Sequence, residues 1–197
     1  MKYVYFGIMV LLACSSCRNS QADPEQLTAL SGDYLQVVVE IPAGTNQKIE
    51  YDYADGSFKV DQIDGKDRVI DFLPYPGNYG FVPGTLMDKE RGGDGDALDI
   101  LVIGEAVPTG TSIAVIPLGA LLLRDRDEID TKLIGIPADP AKQVIQAENF
   151  MSFALRYDAA RRIIEDWFQN YKGAGKVDII RWEDEQYAWS EVEKWRK

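Results

Sequence analysis

The chain has 197 residues, with 21 Lys+Arg against 32 Asp+Glu, a formal charge of −11 and no histidine. The missing histidine excludes Ser-His-Asp and Cys-His relays and the His-containing zinc sites of hydrolytic metalloenzymes, leaving acid–base work to carboxylates, Lys, Tyr or water. The acid surplus argues against docking on nucleic-acid phosphates and makes a hard divalent cation the natural partner for clustered carboxylates. At 46% hydrophobic and 27% charged residues, one domain with a sizeable core is expected.

In chain order, Met1-Lys2-Tyr3 gives a minimal positive start, and Val4 to Ala13 is an uncharged apolar run. That run is too short to span a bilayer but has the length of a signal-peptide core. Leu11-Leu12-Ala13-Cys14 resembles a bacterial lipobox. Residues 1–13 are therefore read as a signal peptide, 14–33 as a lipidated polar tether and 34–197 as the folded domain. The expected location is outside the cytoplasm, as a lipoprotein anchored to a membrane and facing the periplasm or the cell exterior. Cys14 and Cys17 are the only cysteines, so no disulfide staples the body.

From Tyr34 onward short β-rich runs alternate with turn signals. Leu35 to Ile41 ends at Pro42, and Lys48 to Tyr53 alternates so that Lys48 and Glu50 share a face. Phe58 to Val60, Leu98 to Ile103, Ser112 to Leu118, Gly119 to Leu123 and Lys132 to Ile136 continue the strands. Tyr75-Pro76-Gly77-Asn78-Tyr79-Gly80-Phe81 reads as a rigid aromatic turn. Ala147 to Tyr171 carries apolar residues at helical spacing and is closed by Gly173 and Gly175. A strand from Val177 to Trp182 precedes a final helix from about Asp184. This order predicts an α+β, mainly β fold: a small closed five-stranded, OB-like β-barrel with flanking C-terminal helices.

The chemistry-bearing segment is Gly92-Gly93-Asp94-Gly95-Asp96-Ala97-Leu98-Asp99, three aspartates on a glycine-rich loop entering a buried strand. Such carboxylates repel one another unless a cation joins them. An EF-hand fails because Leu98 and Asp99 stand where a ligand and Gly are required. A second cluster runs from Arg124 to Lys132, with Asp130 and Lys132 on one face, and Tyr171-Lys172 follows the long helical stretch.

The ordered set Glu40-Ile41-Pro42, Lys48-Ile49-Glu50, Tyr75 to Gly80, Asp94 to Asp99, Asp125, Asp130, Lys132 and Tyr171-Lys172 resembles the soluble family I inorganic pyrophosphatases. The resemblance covers about Glu40 to Lys172. It implies hydrolysis of inorganic pyrophosphate to two phosphates by a metal-activated water, dependent on several Mg2+ ions per site, with Mn2+ as a substitute. It implies Asp94, Asp99 and Asp130 as ligands of the tightest metal, Asp99 reaching a second, and Asp125 with Asp130 serving one that arrives with substrate. Glu40 and Glu50 would surround the metal–water shell, and Asp96 would be the general base. Lys48, Arg68, Tyr79, Lys132, Tyr171 and Lys172 would bind phosphoryl oxygens, with Tyr75 in support. It also implies a homo-oligomer, hexamer or dimer, contacting a membrane only through the lipid anchor. The alternative is a non-catalytic metal- or phosphate-binding lipoprotein on the same fold.

Two departures stand out. Ala97 occupies a position where the family usually has Pro or Glu. The family's phosphate-binding arginine follows an aspartate shortly before the aromatic turn, whereas Asp61-Gln62 offers none and Asp67-Arg68 comes only after an extra stretch, Asp61 to Lys66.

Overall fold

Strands dominate the chain up to Pro137 and three helices fall in its last third, in the order the patterning predicts. The structure, a computed structural model, describes residues 23–126 and 128–197. The predicted signal peptide, Cys14 and Cys17 lie outside the described residues. The strands are β1 (Leu30–Ser31), β2 (Tyr34–Ile41), β3 (Ile49–Asp52), β4 (Ser57–Val60), β5 (Gln62–Ile63), β6 (Lys66–Asp67), β7 (Asn78–Val82), β8 (Leu98–Val102), β9 (Ser112–Asp125) and β10 (Glu128–Pro137). Then come α1 (Phe150–Arg156), α2 (Asp158–Asn170), β11 (Val177–Asp184) and α3 (Glu185–Trp195).

The main sheet runs β1-β2-β7-β8-β10-β9-β11, and β2 also pairs with β9, so the pairings of β2, β7, β8, β10 and β9 form a ring. Alternation of side chains between two buried faces explains the apolar stretches 100–102, 115–123 and 133–136 of β8, β9 and β10. Leu101, Leu121, Leu123 and Ile134 join the core built with Trp167 and Phe168 of α2. Their neighbours Ile100, Leu122 and Leu133 join a second core with Ala188, Val192 and Trp195 of α3.

Four local expectations change. Ser112 to Leu118 and Gly119 to Leu123 are one strand, β9, which continues through Pro117 because the β9–β10 register shifts there, between Ile134 and Gly135. Proline is tolerated at such a bulge, where a ladder donor is not required. The helical stretch Ala147 to Tyr171 is two helices. Tyr157 leaves helical geometry at φ −127°, ψ 30°, while Asn149 and Ser152 form a capping box for α1. Apolar spacing persists across that break, so periodicity could not reveal it.

The aromatic turn is a turn only at its start, for Asn78 to Val82 form β7. Gly80 lies where β2 crosses, and a Cβ there would sit 1.9 Å from the Val38 carbonyl oxygen. Finally, the chain is engaged before Tyr34. Ala29 is buried, and Leu30 and Ser31 pair with Leu35 and Tyr34.

Candidate active site

Parallel pairing of β8 with β10 sets Ile100 opposite Leu133, which places Asp99 and Lys132, one residue earlier on each strand, side by side. Lys132 donates to Asp99 Oδ2, and its Nζ lies 2.7 Å from Asp130 Oδ1. The second contact is an ion pair without a hydrogen bond, for buried Asp130 Oδ1 makes none. Burial pulls Lys132 toward neutrality, but Asp130 and Asp99 override it and hold the ammonium well above its ordinary pKa. Asp99 is likewise held below the usual carboxylate range, burial being outweighed by Lys132 and Lys48.

The aspartate loop is pinned to Met87. Gly95 N donates to Met87 O at 2.7 Å, Met87 N donates to Asp96 O at 2.7 Å, and Asp96 N donates to Asp94 Oδ1 at 2.9 Å. Gly93 permits this, as a Cβ there would come within 2.3 Å of the Met87 carbonyl. Asp94 and Asp96 both have raised pKa values, first through partial burial. For Asp96 the charges of Asp99 and Glu50 add to this. Ala97 packs its methyl against the small cluster of Val38, Tyr51 and Phe81.

Opposite the aspartates, Lys48 Nζ lies 3.2 Å from Glu50 Oε1 and 5.3 Å from the centre of the Tyr79 ring. Burial lowers its pKa, yet Tyr75, Asp99 and Glu40 raise it further, and the net shift is upward. Arg68 donates to Asp61 Oδ2 at 2.9 Å. Lys172 donates to Asp125, a meeting arranged by β11 pairing Val177 with Asp125 on β9. Burial pushes the Tyr79 and Tyr171 hydroxyls up, so both remain protonated donors near neutrality.

These side chains line one cavity of about 530 Å³. Every predicted site residue lies on its wall except Glu40, which lines a smaller hollow beside it with Lys48, Glu50, Asp96 and Asp99. Glu40 accepts from Tyr51 N at 2.8 Å, and burial pushes its carboxyl up to about 7. The cavity also takes in Glu128 and Phe168. Glu128 belongs to the charged run Arg124 to Lys132, and no sequence signal separates it from its neighbours.

Among the described residues no group of three or more carboxylates stands close enough to hold a metal ion as arranged. Lysines occupy the carboxylates instead, at Asp99, Asp130 and Asp125. The donor set still fits a hard divalent cation. It consists of carboxylate oxygens alone, and it includes the buried Asp130 Oδ1, which Lys132 faces at 2.7 Å without a hydrogen bond.

Residues 37–197 match the family model described as inorganic pyrophosphatase. The chain belongs to the inorganic pyrophosphatase family. It is 37% identical over 141 residues to the inorganic pyrophosphatase of Sulfolobus acidocaldarius, covering 71% of this chain and 75% of that protein. It is 36% identical over 166 residues to that of Aquifex pyrophilus, covering 82% and 80%. Among solved structures it is similar to the inorganic pyrophosphatase of Thermus thermophilus, with a TM-score of 0.71, 28% identity, and coverage of 87% of this chain and 95% of that one. The Coxiella burnetii inorganic pyrophosphatase gives 0.70 at 31% identity, covering 86% and 97%. Family membership thus rests on most of the folded chain, not on the aspartate loop alone.

Proposed function

We propose that this protein is an inorganic diphosphatase that hydrolyses pyrophosphate to two phosphates with water as acceptor. The observation that carries this reading is the cavity in which Asp94, Asp96, Asp99, Asp125 and Asp130 face Lys48, Arg68, Lys132 and Lys172, in a chain of the inorganic pyrophosphatase family. An anionic substrate enters an acidic site only if charge is offset at both ends of the reacting bond.

Asp94, Asp99 and Asp130 would hold the tightest divalent cation, with Asp125, Glu50 and Glu40 around the further positions. Magnesium is our choice, with manganese as a substitute, because oxygen ligands and retained waters suit both. Such cations would offset phosphoryl charge and lower the pKa of a bound water.

The chain's own groups do the rest. Asp96, with a pKa raised from the ordinary aspartate value, is a stronger base than a free aspartate and takes the proton of the attacking water. Lys48, Arg68, Lys132 and Lys172 neutralise phosphoryl oxygens, and the Tyr79 and Tyr171 hydroxyls donate to them. Tyr75, 5.2 Å from Tyr79 ring to ring, buttresses that wall.

We also read the five-strand ring as a closed OB-like barrel. The apolar run Val4 to Ala13 and the Leu-Leu-Ala-Cys sequence support export and lipidation at Cys14, and a homo-oligomer, dimer or hexamer, is our reading of the assembly. Phosphate release from pyrophosphate with magnesium tests the activity. The wild type is expected to turn over, and Asp96→Asn to lower kcat by about 10²–10⁴-fold. A folded wild type that releases no phosphate refutes the reading.

A further inference from the structure

The cavity does not end at its cations. Arg68, Asp125, Tyr171 and Lys172 also wall an adjoining hollow of about 660 Å³, completed by Ile63, Val69, Asp71, Arg126 and Lys176 among others. The charge balance reverses between the two. Among the described residues the first cavity carries seven carboxylates against four cationic side chains, the second two carboxylates against four cations. In a chain of net charge −11 such a local surplus runs against the average, and it attracts anions.

Two of the four cations are already partnered, Arg68 by Asp61 and Lys172 by Asp125. Arg126 and Lys176 are exposed, and among the described residues neither has a carboxylate partner. They come from different loops that β11 brings together. Arg126 sits in the β9–β10 turn at φ 58°, and Lys176 follows Gly173 and Gly175 just before Val177, which pairs with Asp125. The hairpin of β5 and β6 supplies Ile63 at the rim.

We propose that this hollow receives the third phosphoryl group of inorganic tripolyphosphate, recognised by Arg126 and Lys176. This extends the ligand class of the site from pyrophosphate to longer linear oligophosphates. It rests on the reading of the first cavity as a pyrophosphate site. Arg68 and Lys172 line both hollows, so an anion chain continuing past them meets Arg126 and Lys176 next. A nucleoside finds less there. Among the described residues Tyr171 is the only aromatic on the wall, and its ring is already stacked on Trp167 at 4.7 Å.

The test is calorimetric titration with pyrophosphate, tripolyphosphate and ADP in magnesium buffer, in an Asp96→Asn background that arrests turnover. Tripolyphosphate is expected to bind about ten-fold more tightly than pyrophosphate, the step that one further charge-assisted contact supports. Adding Arg126→Ala and Lys176→Ala is expected to abolish that preference and leave pyrophosphate affinity within about two-fold. Equal affinity for the two anions, an equal loss on both in the triple variant, or tighter binding of ADP than of tripolyphosphate overturns the proposal. Absence of pyrophosphate hydrolysis in the wild type, with the binding preference intact, refutes the diphosphatase reading alone and supports the oligophosphate site.

Discussion

Arg68 donates from Nη1 to Asp61 Oδ2 at 2.9 Å, although residues 62–67 separate them in the chain. Those residues leave and return as the β5–β6 hairpin, turning at Asp64 (φ 54°) and Gly65 (φ 74°), the two positive φ values of a type I′ turn. Backbone bonds close its neck. Arg68 N donates to Asp61 O at 2.7 Å, Asp61 N to Lys48 O at 2.7 Å, and Lys48 N to Arg68 O at 2.9 Å. The insertion is therefore a self-contained excursion that delivers an arginine beside Asp61 and next to Lys48.

That geometry predicts unequal costs at its two ends. Arg68→Ala removes a charge-assisted donor to substrate and is expected to lower kcat/KM for pyrophosphate by about 10–100-fold. Asp61→Ala leaves the guanidinium in place but unoriented, and a smaller loss, about five-fold and mostly in KM, is expected. Steady-state kinetics on the two variants separate these outcomes. An Asp61 effect as large as that of Arg68 contradicts the assignment of Asp61 as a positioning residue.

Lys132 balances Asp99 and Asp130 from a position only 5% exposed. Lys132→Ala leaves both carboxylates without their ammonium, and in chelator the loss of stability is expected to be about 3–5 kcal/mol, read as a lower denaturation midpoint. Magnesium is expected to recover part of that loss, because a cation held by the carboxylates replaces the missing charge. A variant as stable as wild type in chelator contradicts this.

Glu40 gives the metal-free protein a pH dependence of known sign. Its carboxyl sits at about 7 in the folded chain against an ordinary 4.5, first because it is buried. The folded state holds a proton that the unfolded chain releases, so the Glu40 contribution to stability is fully present below pH 4.5 and is lost as pH rises toward 7. Glu40→Gln keeps an acceptor for Tyr51 N and is expected to remove this slope, gaining on the order of 3 kcal/mol at pH 8 relative to wild type. Denaturant midpoints from pH 4.5 to 8 in chelator measure it.

Gly80→Ala is expected to prevent folding or to displace β2 from β7, because the new methyl carbon would meet the Val38 carbonyl oxygen at 1.9 Å. Circular dichroism and solubility check this. A soluble variant with full activity contradicts the close crossing.

Export makes a separate prediction. Labelling with a radioactive fatty acid is expected to mark the wild type and to leave Cys14→Ala unmarked. Label retained in the variant points to Cys17, and label absent from both removes the anchor.

Much of this was legible in sequence because it depends on chemistry carried by type and local order. The missing histidine limited the toolkit, the aspartates of the Gly92 to Asp99 loop marked a carboxylate cluster of the kind that suits a cation, and the alternating and helical apolar patterns ordered strands before helices. Local order cannot state which strands become neighbours. The parallel pairing of β8 with β10 brings Asp99 to Lys132, and the β9–β11 pairing brings Lys172 to Asp125 across 47 residues. The β5–β6 hairpin returns Arg68 to Asp61. Each is a long-range choice settled by which apolar faces can be buried together; burial raises the proton affinity of Glu40, and the charges brought together override burial at Asp99 and Lys132. The sequence by itself determined the kinds of charge available, whereas only the tertiary structure decided which of them meet, because the pairing energy belongs to the sheet as a whole.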